Sequence, residues 1–398
     1  MKGEHKTRGI DPSTLCIRPE ELPASSTPPL NTPIVLSSVY QVADLRQIDA
    51  LYNREESGYI YARDGHPNAA QLAAKVAKLE GAQAGLVCAS GMAAESALML
   101  ATLGQGDEIA VSDGLYGRTV ALVGRELSRF GVTHAVFDST RPESLRDALT
   151  PRTRMVFAET LSNPLVRVAD ITGMAEVIRS ANSKAILAID HTFAPLLCYP
   201  LALGADVVIH SLTKLIGGHS DVTLGAVVGS KAVIERTSVV GSTFGLTGNA
   251  FESWLTLRGI ATLSLRSDRA CQTALSLSQR FAGHRSVRAT HYPGLPGHPD
   301  HGRAKQTLSR GFGAMMTIDV GTRDAADLLI RSLEHIPFAP SLGDVATTLS
   351  HPATTSHRGQ SPEQWARQGI TPGLVRLSIG LEDLEDLWAD FSQALDRL

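Results

Sequence analysis

The sequence predicts an α/β protein, with a large domain on a mostly parallel sheet followed by a smaller C-terminal α+β domain. Three observations lead there. Between residues 68 and 210, short apolar runs alternate with stretches of helical periodicity, the signature of a parallel sheet covered by helices on both faces. The 398 residues suffice for two domains with a sizeable core. Beyond about residue 255 the alternation gives way to one long helical stretch and then a segment rich in Pro, Gly and His at 291–301.

Taken in order, residues 1–33 carry several prolines among Ser and Thr and read as an arm that cannot build a core of its own. A helix begins at Asn68, with Leu72, Val76 and Leu79 on one face and Gly81 as its stop. The run 85–88 is the next strand, and Ala-Ser-Gly leads from it into a helix at 92–103. Strands at 108–111, 133–137, 154–159, 185–189 and 207–210 then take turns with helices at 119–130, 142–149 and 172–180. A long helix at 264–282 and a closing helix at 382–398 belong to the smaller domain, and no internal repeat occurs.

Hydrophobic residues make up 43 % of the chain and charged residues 19 %, as expected of a compact globular protein. The net charge of -3 and the lack of any block of like charges speak against a nucleic-acid or anionic-membrane footprint, so a small substrate is expected. Cys16, Cys88, Cys198 and Cys271 are scattered and read as free thiols, with Cys88 and Cys198 as buried small hydrophobes. Residues 1–7 are charged with no apolar stretch after them, and no window approaches the roughly 18 apolar residues of a membrane span. The expected location is therefore cytoplasmic.

The most informative segment is 205–221, ADVVIHSLTKLIGGHSD, in which an apolar strand runs into Ser211, Thr213 and Lys214 and then two glycines. A strand-end lysine beside two hydroxyls could carry a carbonyl cofactor as a Schiff base while the hydroxyls bind a phosphate. A surface lysine after a strand fits that segment equally well. Upstream, 186–193 ends a strand in Asp190, which one short helix-bearing connection would bring near Lys214. A buried Asp facing a pyridine nitrogen keeps it protonated, although a strand-end Asp is also a common helix cap. Ser90, Gly91 and Met92 stand between a strand and an Ala-rich helix, where backbone N–H groups cradle a phosphate; tight packing of small residues would look the same.

Together these segments resemble the cystathionine γ-synthase, cystathionine γ-lyase and methionine γ-lyase family of pyridoxal-phosphate enzymes. The resemblance runs from about Pro33 to Gly380 and rests on YIYAR at 59–63, SGM at 90–92, LYG at 115–117, ETLSNP at 159–164, DHTF at 190–193, SLTK at 211–214, GHSD at 218–221, SLG at 341–343 and VRLSIG at 375–380. It implies a fold of the aspartate-aminotransferase type, with an arm over 1–62 that contributes to a neighbouring subunit. A cofactor-binding large domain with a seven-stranded sheet over 63–258 and a small domain over 259–398 would follow. It also implies that Lys214 carries pyridoxal 5'-phosphate, that Asp190 pairs with the ring nitrogen, and that Ser90, Gly91, Met92, Ser211 and Thr213 hold the phosphate. Tyr61 and Arg63 would reach that phosphate from the neighbouring subunit of a homotetramer. Tyr116 would stack on the ring and act as acid or base, Asn163 would touch the ring's 3-oxygen, and Arg376 with Ser341 would clamp the substrate carboxylate.

The reaction so implied is α,γ-elimination from a sulfur amino acid, L-methionine or L-cystathionine, giving 2-oxobutanoate, ammonia and a thiol. Relatives that handle cystathionine tend to carry acids at the positions of Ile60 and Pro340, so their absence favours the apolar thioether. Arg118, where methionine γ-lyases usually show Cys, puts a charge near the expected leaving group, or points away as a solvated helix-start residue. Gly65-His66-Pro67-Asn68 replaces the family's Gly-Asn-Pro-Thr. A γ-replacement enzyme of the cystathionine γ-synthase or O-acylhomoserine sulfhydrylase type is the alternative, and a scaffold that keeps the fold without chemistry is a third reading.

Overall fold

The computed structural model describes residues 10–18, 20 and 26–398; the rest of the predicted arm lies outside the described residues. Two sheets organise the chain. The larger contains β1 (Ala84–Cys88), β2 (Glu108–Ser112), β3 (Thr133–Phe137), β4 (Thr153–Glu159), β5 (Ile186–Asp190), β6 (Val207–Ser211) and β7 (Gly225–Gly229), in the order β1-β7-β6-β5-β4-β2-β3. Only β7 runs against its neighbours, pairing antiparallel with both β1 and β6. The smaller sheet, β8 (Ala289–His291), β9 (Met315–Asp319), β10 (Thr348–Ser350) and β11 (Leu374–Ser378), is antiparallel throughout in the order β10-β11-β9-β8.

The central strands are apolar on both faces because helices cover both. Val207, Ile209 and Val227 pack with Leu98 of the helix Gly91–Thr102 on one side. Val208, Ala226 and Val228 pack with Leu72 and Val76 of the helix Pro67–Glu80 on the other. That second helix is delimited as its sequence suggests. His66 accepts from the Ala69 N–H through its ring, Pro67 opens the first turn, and Gly81 closes it at φ 69° in the left-handed region that glycine tolerates. The departures at 65–68 thereby gain a local use: His66 caps the helix, while Asn68 pins the incoming chain by accepting from Val35 N and donating to Pro33 O.

Three expectations are corrected. Residues 191–206, between β5 and β6, hold turns and no helix, with Pro195 and Pro200 interrupting any helical run. The helix expected at 119–130 is α-helical only over Gly117–Ala121, widens into a π-turn at Leu122–Glu126 and tightens into a 3₁₀ turn at Leu127–Phe130, with Gly131 left-handed at its end. β7 and the helices Leu45–Tyr52, Lys231–Phe244, Ala250–Ile260, His301–Thr307 and Arg323–Ser332 stand where no element was expected. Part of the expected arm packs on the body of its own chain. The short helix Pro12–Ile17 buries Cys16 against Leu72 and Val76, and Lys75 Nζ donates to Leu15 O at 2.7 Å.

Candidate active site

Five strands of the larger sheet deliver polar groups from or just beyond their carboxyl ends, where ligands bind in open α/β sheets. Ser90 follows β1, Tyr116 follows β2, Glu159 closes β4, Asp190 closes β5, and Ser211 closes β6 with Lys214 a turn later. These groups meet around a cavity of about 530 Å³. Ser90, Gly91, Met92, Tyr116, Arg118, Asn163, Asp190, Ser211, Thr213, Lys214, Ser341 and Arg376 all line it. Tyr61 and Arg63 do not; both are exposed, with the Arg63 guanidinium 5.5 Å from the Tyr61 ring centre.

One end of the cavity is built for an anion. The helix Gly91–Thr102 starts there, its first N–H groups lacking intrahelical acceptors, and Ser90 caps it by accepting from Ala93 N at 3.0 Å. Gly91 is required by close approach: a Cβ on it would lie 2.8 Å from the Ser211 Cβ. Gly225 is required too, since its Cβ would lie 2.2 Å from the Ser90 carbonyl oxygen. Thr192 orients β6 by accepting from Ser211 N at 2.8 Å, whereas the Thr213 hydroxyl is engaged with Leu224, donating to its carbonyl and accepting from its N–H.

At the other end three carboxyl groups face one another. Asp190 accepts from Thr192 N at 2.8 Å and makes no ion pair among the described residues. Enclosure by protein raises its pKa above the usual range, opposed by the Thr192 hydrogen bonds. Burial, then the Asp190 charge, push Glu95 and Glu159 well above the usual carboxylate range. Glu159 Oε1 accepts the Tyr116 N–H at 2.6 Å, which fixes the start of the Tyr116–Arg118 turn.

Between the two ends stands Lys214. Its amine donates to Ser341 Oγ at 3.1 Å, and burial first, then the Arg376 charge, hold its pKa below the usual lysine value. Ser341 is also a partner of Arg376, whose Nη2 donates to its carbonyl at 3.2 Å. Gly343 is left-handed at φ 82°, and a Cβ there would lie 2.4 Å from Leu215 N, so this loop sits directly on the chain that carries the lysine. Arg376 is buried, and desolvation lowers it to about 10.

Sequence reasoning missed Glu95, Thr192 and Ser356 as residues of this site. Glu95 had a readable signal, an acid inside an otherwise uncharged GMAAESALMLAT helix. Pyridoxal phosphate fits the donor set: an anion cradle at a helix start, a half-buried amine beside it, and an enclosed carboxylate with no cation of its own for a pyridinium to meet.

Comparison with known proteins agrees. The chain is 37 % identical to an L-methionine gamma-lyase of Porphyromonas gingivalis over 93 % of each chain. It is 38 % identical to a cystathionine gamma-lyase of Bacillus subtilis, over 90 % of this chain and 94 % of that one. The solved cystathionine gamma synthase of Xanthomonas oryzae pv. oryzae superposes with a TM-score of 0.91 at 34 % identity, over 98 % of this chain and 99 % of that one. The model of the Cys/Met metabolism PLP-dependent enzymes matches residues 13–396, and with Lys214, Asp190 and the helix-start cradle gathered around one cavity, the chain belongs to that family.

Proposed function

We propose that the protein is a carbon-sulfur lyase catalysing α,γ-elimination from a sulfur amino acid, methionine or cystathionine, to give 2-oxobutanoate, ammonia and a thiol. The observation that carries this reading is the Lys214–Ser341–Arg376 arrangement: an amine of lowered basicity and a buried guanidinium share one serine in the cavity. Pyridoxal phosphate, when bound, supplies the electron sink that makes a proton on the substrate's Cα removable.

The chain's own groups have distinct parts. Arg376 engages the α-carboxylate, its fork suited to two oxygens, and Ser341 helps orient it. That fixes the Cα–H toward Lys214, whose neutral amine Nζ takes the Cα proton, passes it on, and then takes one from Cβ so that the γ-sulfur can leave; protons are restored at Cγ and Cβ before water releases 2-oxobutanoate and ammonia. Asp190 keeps the ring-nitrogen proton in place, and Asn163 offers its amide NH₂ to the 3-oxygen because its Oδ1 already accepts from Arg376. Ser90, Gly91, Met92 and Ser211 hold the phosphate, Thr213 joining them once its hydroxyl turns from the Leu224 carbonyl, and the Tyr116 hydroxyl delivers a proton to the departing sulfur.

Tyr61 and Arg63 lie away from their own chain's cavity, which supports a site completed by a neighbouring subunit. Exposed Leu36, Val39 and Leu45 give the segment over 1–62 an apolar face for that contact. We infer a homotetramer, with 63–258 as cofactor domain and 259–398 as small domain. The four free cysteines suit a reducing cytoplasm.

Among substrates, Pro340 lines the cavity where an acid would serve a distal ammonium, which supports methionine. Arg118 lines it as well and favours a second reading, γ-replacement on an O-acylated homoserine whose acyl group carries a carboxylate. The test is to load the protein with pyridoxal phosphate and assay 2-oxobutanoate from methionine, cystathionine and O-acylhomoserine plus thiol. Keto acid from methionine supports the lyase; a product formed only with added thiol supports replacement. No visible absorbance that depends on Lys214 would sink both and leave the scaffold reading.

A further inference from the structure

Glu95 is the only charged residue of the helix Gly91–Thr102, and it points inward. It is 3 % exposed and pairs with no cation among the described residues. Thr119 Oγ1 donates to its Oε1 at 3.0 Å, and its Oε2 has no hydrogen-bond partner. The residue lines the same cavity as Asp190, whose charge acts on it. A buried oxygen left without a partner is costly, and the cost is removed when a ligand completes it.

The groups around it are few. Asp190 faces it from β5, Glu159 from β4 and Thr119 from the short helix Gly117–Ala121. Glu159 is occupied by the Tyr116 N–H and feels Arg376, and His210 on β6 acts on Asp190. Burial and the neighbouring Asp190 charge favour the uncharged acid at Glu95. An uncharged carboxyl has an O–H to donate, and with Oε1 engaged by Thr119 the unpartnered Oε2 is the oxygen free to carry it.

We propose that Asp190 and Glu95 form a carboxyl pair at the ring-nitrogen end of the bound cofactor, Asp190 as the carboxylate and Glu95 as the acid whose Oε2 completes the subsite. Between them they hold the ring-nitrogen proton and one carboxyl proton, so the pair of carboxyl groups carries one negative charge and not two, matching the single positive charge of the protonated ring. Glu95 is then a positioning residue for the cofactor, and the inference rests on the assignment of this cavity to pyridoxal phosphate.

The test is cofactor affinity, read by visible absorbance as the cofactor-free protein is titrated with pyridoxal phosphate. Glu95→Gln keeps an oxygen for Thr119 and an N–H for the cavity, and should bind within about threefold of the unaltered protein. Glu95→Met keeps the length without polar atoms and should bind about tenfold more weakly. Equal affinity in all three, or a Gln variant as weak as the Met variant, overturns the pair. Should Glu95→Met not fold, the cycle of Glu95→Gln with Asp190→Asn decides: coupled losses support the pair and additive losses overturn it. An unaltered protein that develops no absorbance overturns the cavity assignment, whereas normal absorbance with indifferent Glu95 variants removes only the inference.

Discussion

Arg376 donates from Nη1 to Asn163 Oδ1 at 2.9 Å, joining residues 213 positions apart in sequence. The contact ties β11 of the smaller sheet to the loop after β4, so the two sheets share one wall of the cavity. It also fixes which way the Asn163 amide faces. Arg376→Gln should therefore raise the KM for the amino acid and disturb the cofactor's 3-oxygen contact together. A loss of about 3 kcal/mol, on the order of a hundredfold in kcat/KM, is expected for removing a buried partner of a carboxylate. Steady-state kinetics with 2-oxobutanoate detection measure it; an unchanged KM would count against Arg376 as the carboxylate clamp.

Gly117 follows Tyr116, and a Cβ on it would lie 2.2 Å from the Ser356 carbonyl oxygen. Backbone cannot yield cheaply there, so Gly117→Ala must shift the Tyr116 turn. Since Tyr116 is assigned to the leaving group and not to holding the phosphate, kcat should fall on the order of a hundredfold, as for a misplacement near one ångström. Cofactor absorbance should persist. Loss of the cofactor with the activity would show that the turn serves binding instead.

Much of this site was readable because the chemistry lies at strand ends that are local in sequence. Ser211 to Lys214 directly follow an apolar strand, and Asp190 ends the neighbouring one. β7 was not readable: GAVVG is short and glycine-bounded, and its antiparallel place exists only through pairing with β1 and β6. Gly225 is there for the Ser90 carbonyl, a contact without sequence periodicity. The irregular stretch from Leu122 to Phe130 likewise escaped a periodicity argument, because a π-turn followed by a 3₁₀ turn keeps helical composition while losing the helical hydrogen-bond register.

Lys214 gives a pH prediction with a definite sign. Burial, then Arg376, lowers its pKa, so the neutral amine is present at a lower pH than in free lysine. Capture of pyridoxal phosphate by the cofactor-free protein needs that neutral amine. Its rate should rise with pH to a plateau, with the midpoint below the ordinary lysine value of about 10.4. Arg376→Gln removes one push and should move the midpoint upward. Stopped-flow absorbance across a pH series reads both; a midpoint at or above that of free lysine would contradict the account.

Arg118 lines the cavity at the first turn after Tyr116 and makes no ion pair among the described residues. A charge so placed rewards a leaving group that carries a carboxylate. Arg118→Gly should leave kcat/KM for methionine equal or higher and lower it about tenfold for cystathionine or an O-succinyl ester, the size of one charged hydrogen bond. A uniform loss across all substrates would place the side chain away from the leaving group.

Arg266 supports the site from behind and should reveal itself through stability. It is 7 % exposed, yet its partners are neutral: Nη1 donates to Leu215 O at 2.7 Å, and Nη2 to Ile216 O at 3.1 Å and Gly259 O at 2.8 Å. Nε donates to Thr262 Oγ1 at 3.1 Å, and desolvation lowers the group to about 10. Leu215 and Ile216 come directly after Lys214, so one guanidinium ties the Lys214 loop to the helix Ala250–Ile260. The approach is tight, since a Cβ on Gly218 would lie 2.2 Å from Nη1. Arg266→Leu removes the buried charge but leaves the Leu215 and Ile216 carbonyls without their donor, whereas Gly259 O keeps Thr262, a net loss of about 3 kcal/mol because those groups remain enclosed. The thermal midpoint of the cofactor-free variant should therefore fall. Added cofactor stabilises any protein that binds it by an amount set by its concentration over Kd, so a variant whose lysine loop has loosened should recover less than the unaltered chain does. Thermal melts with and without pyridoxal phosphate separate the cases: equal recovery would mean that Arg266 holds the fold but not the lysine.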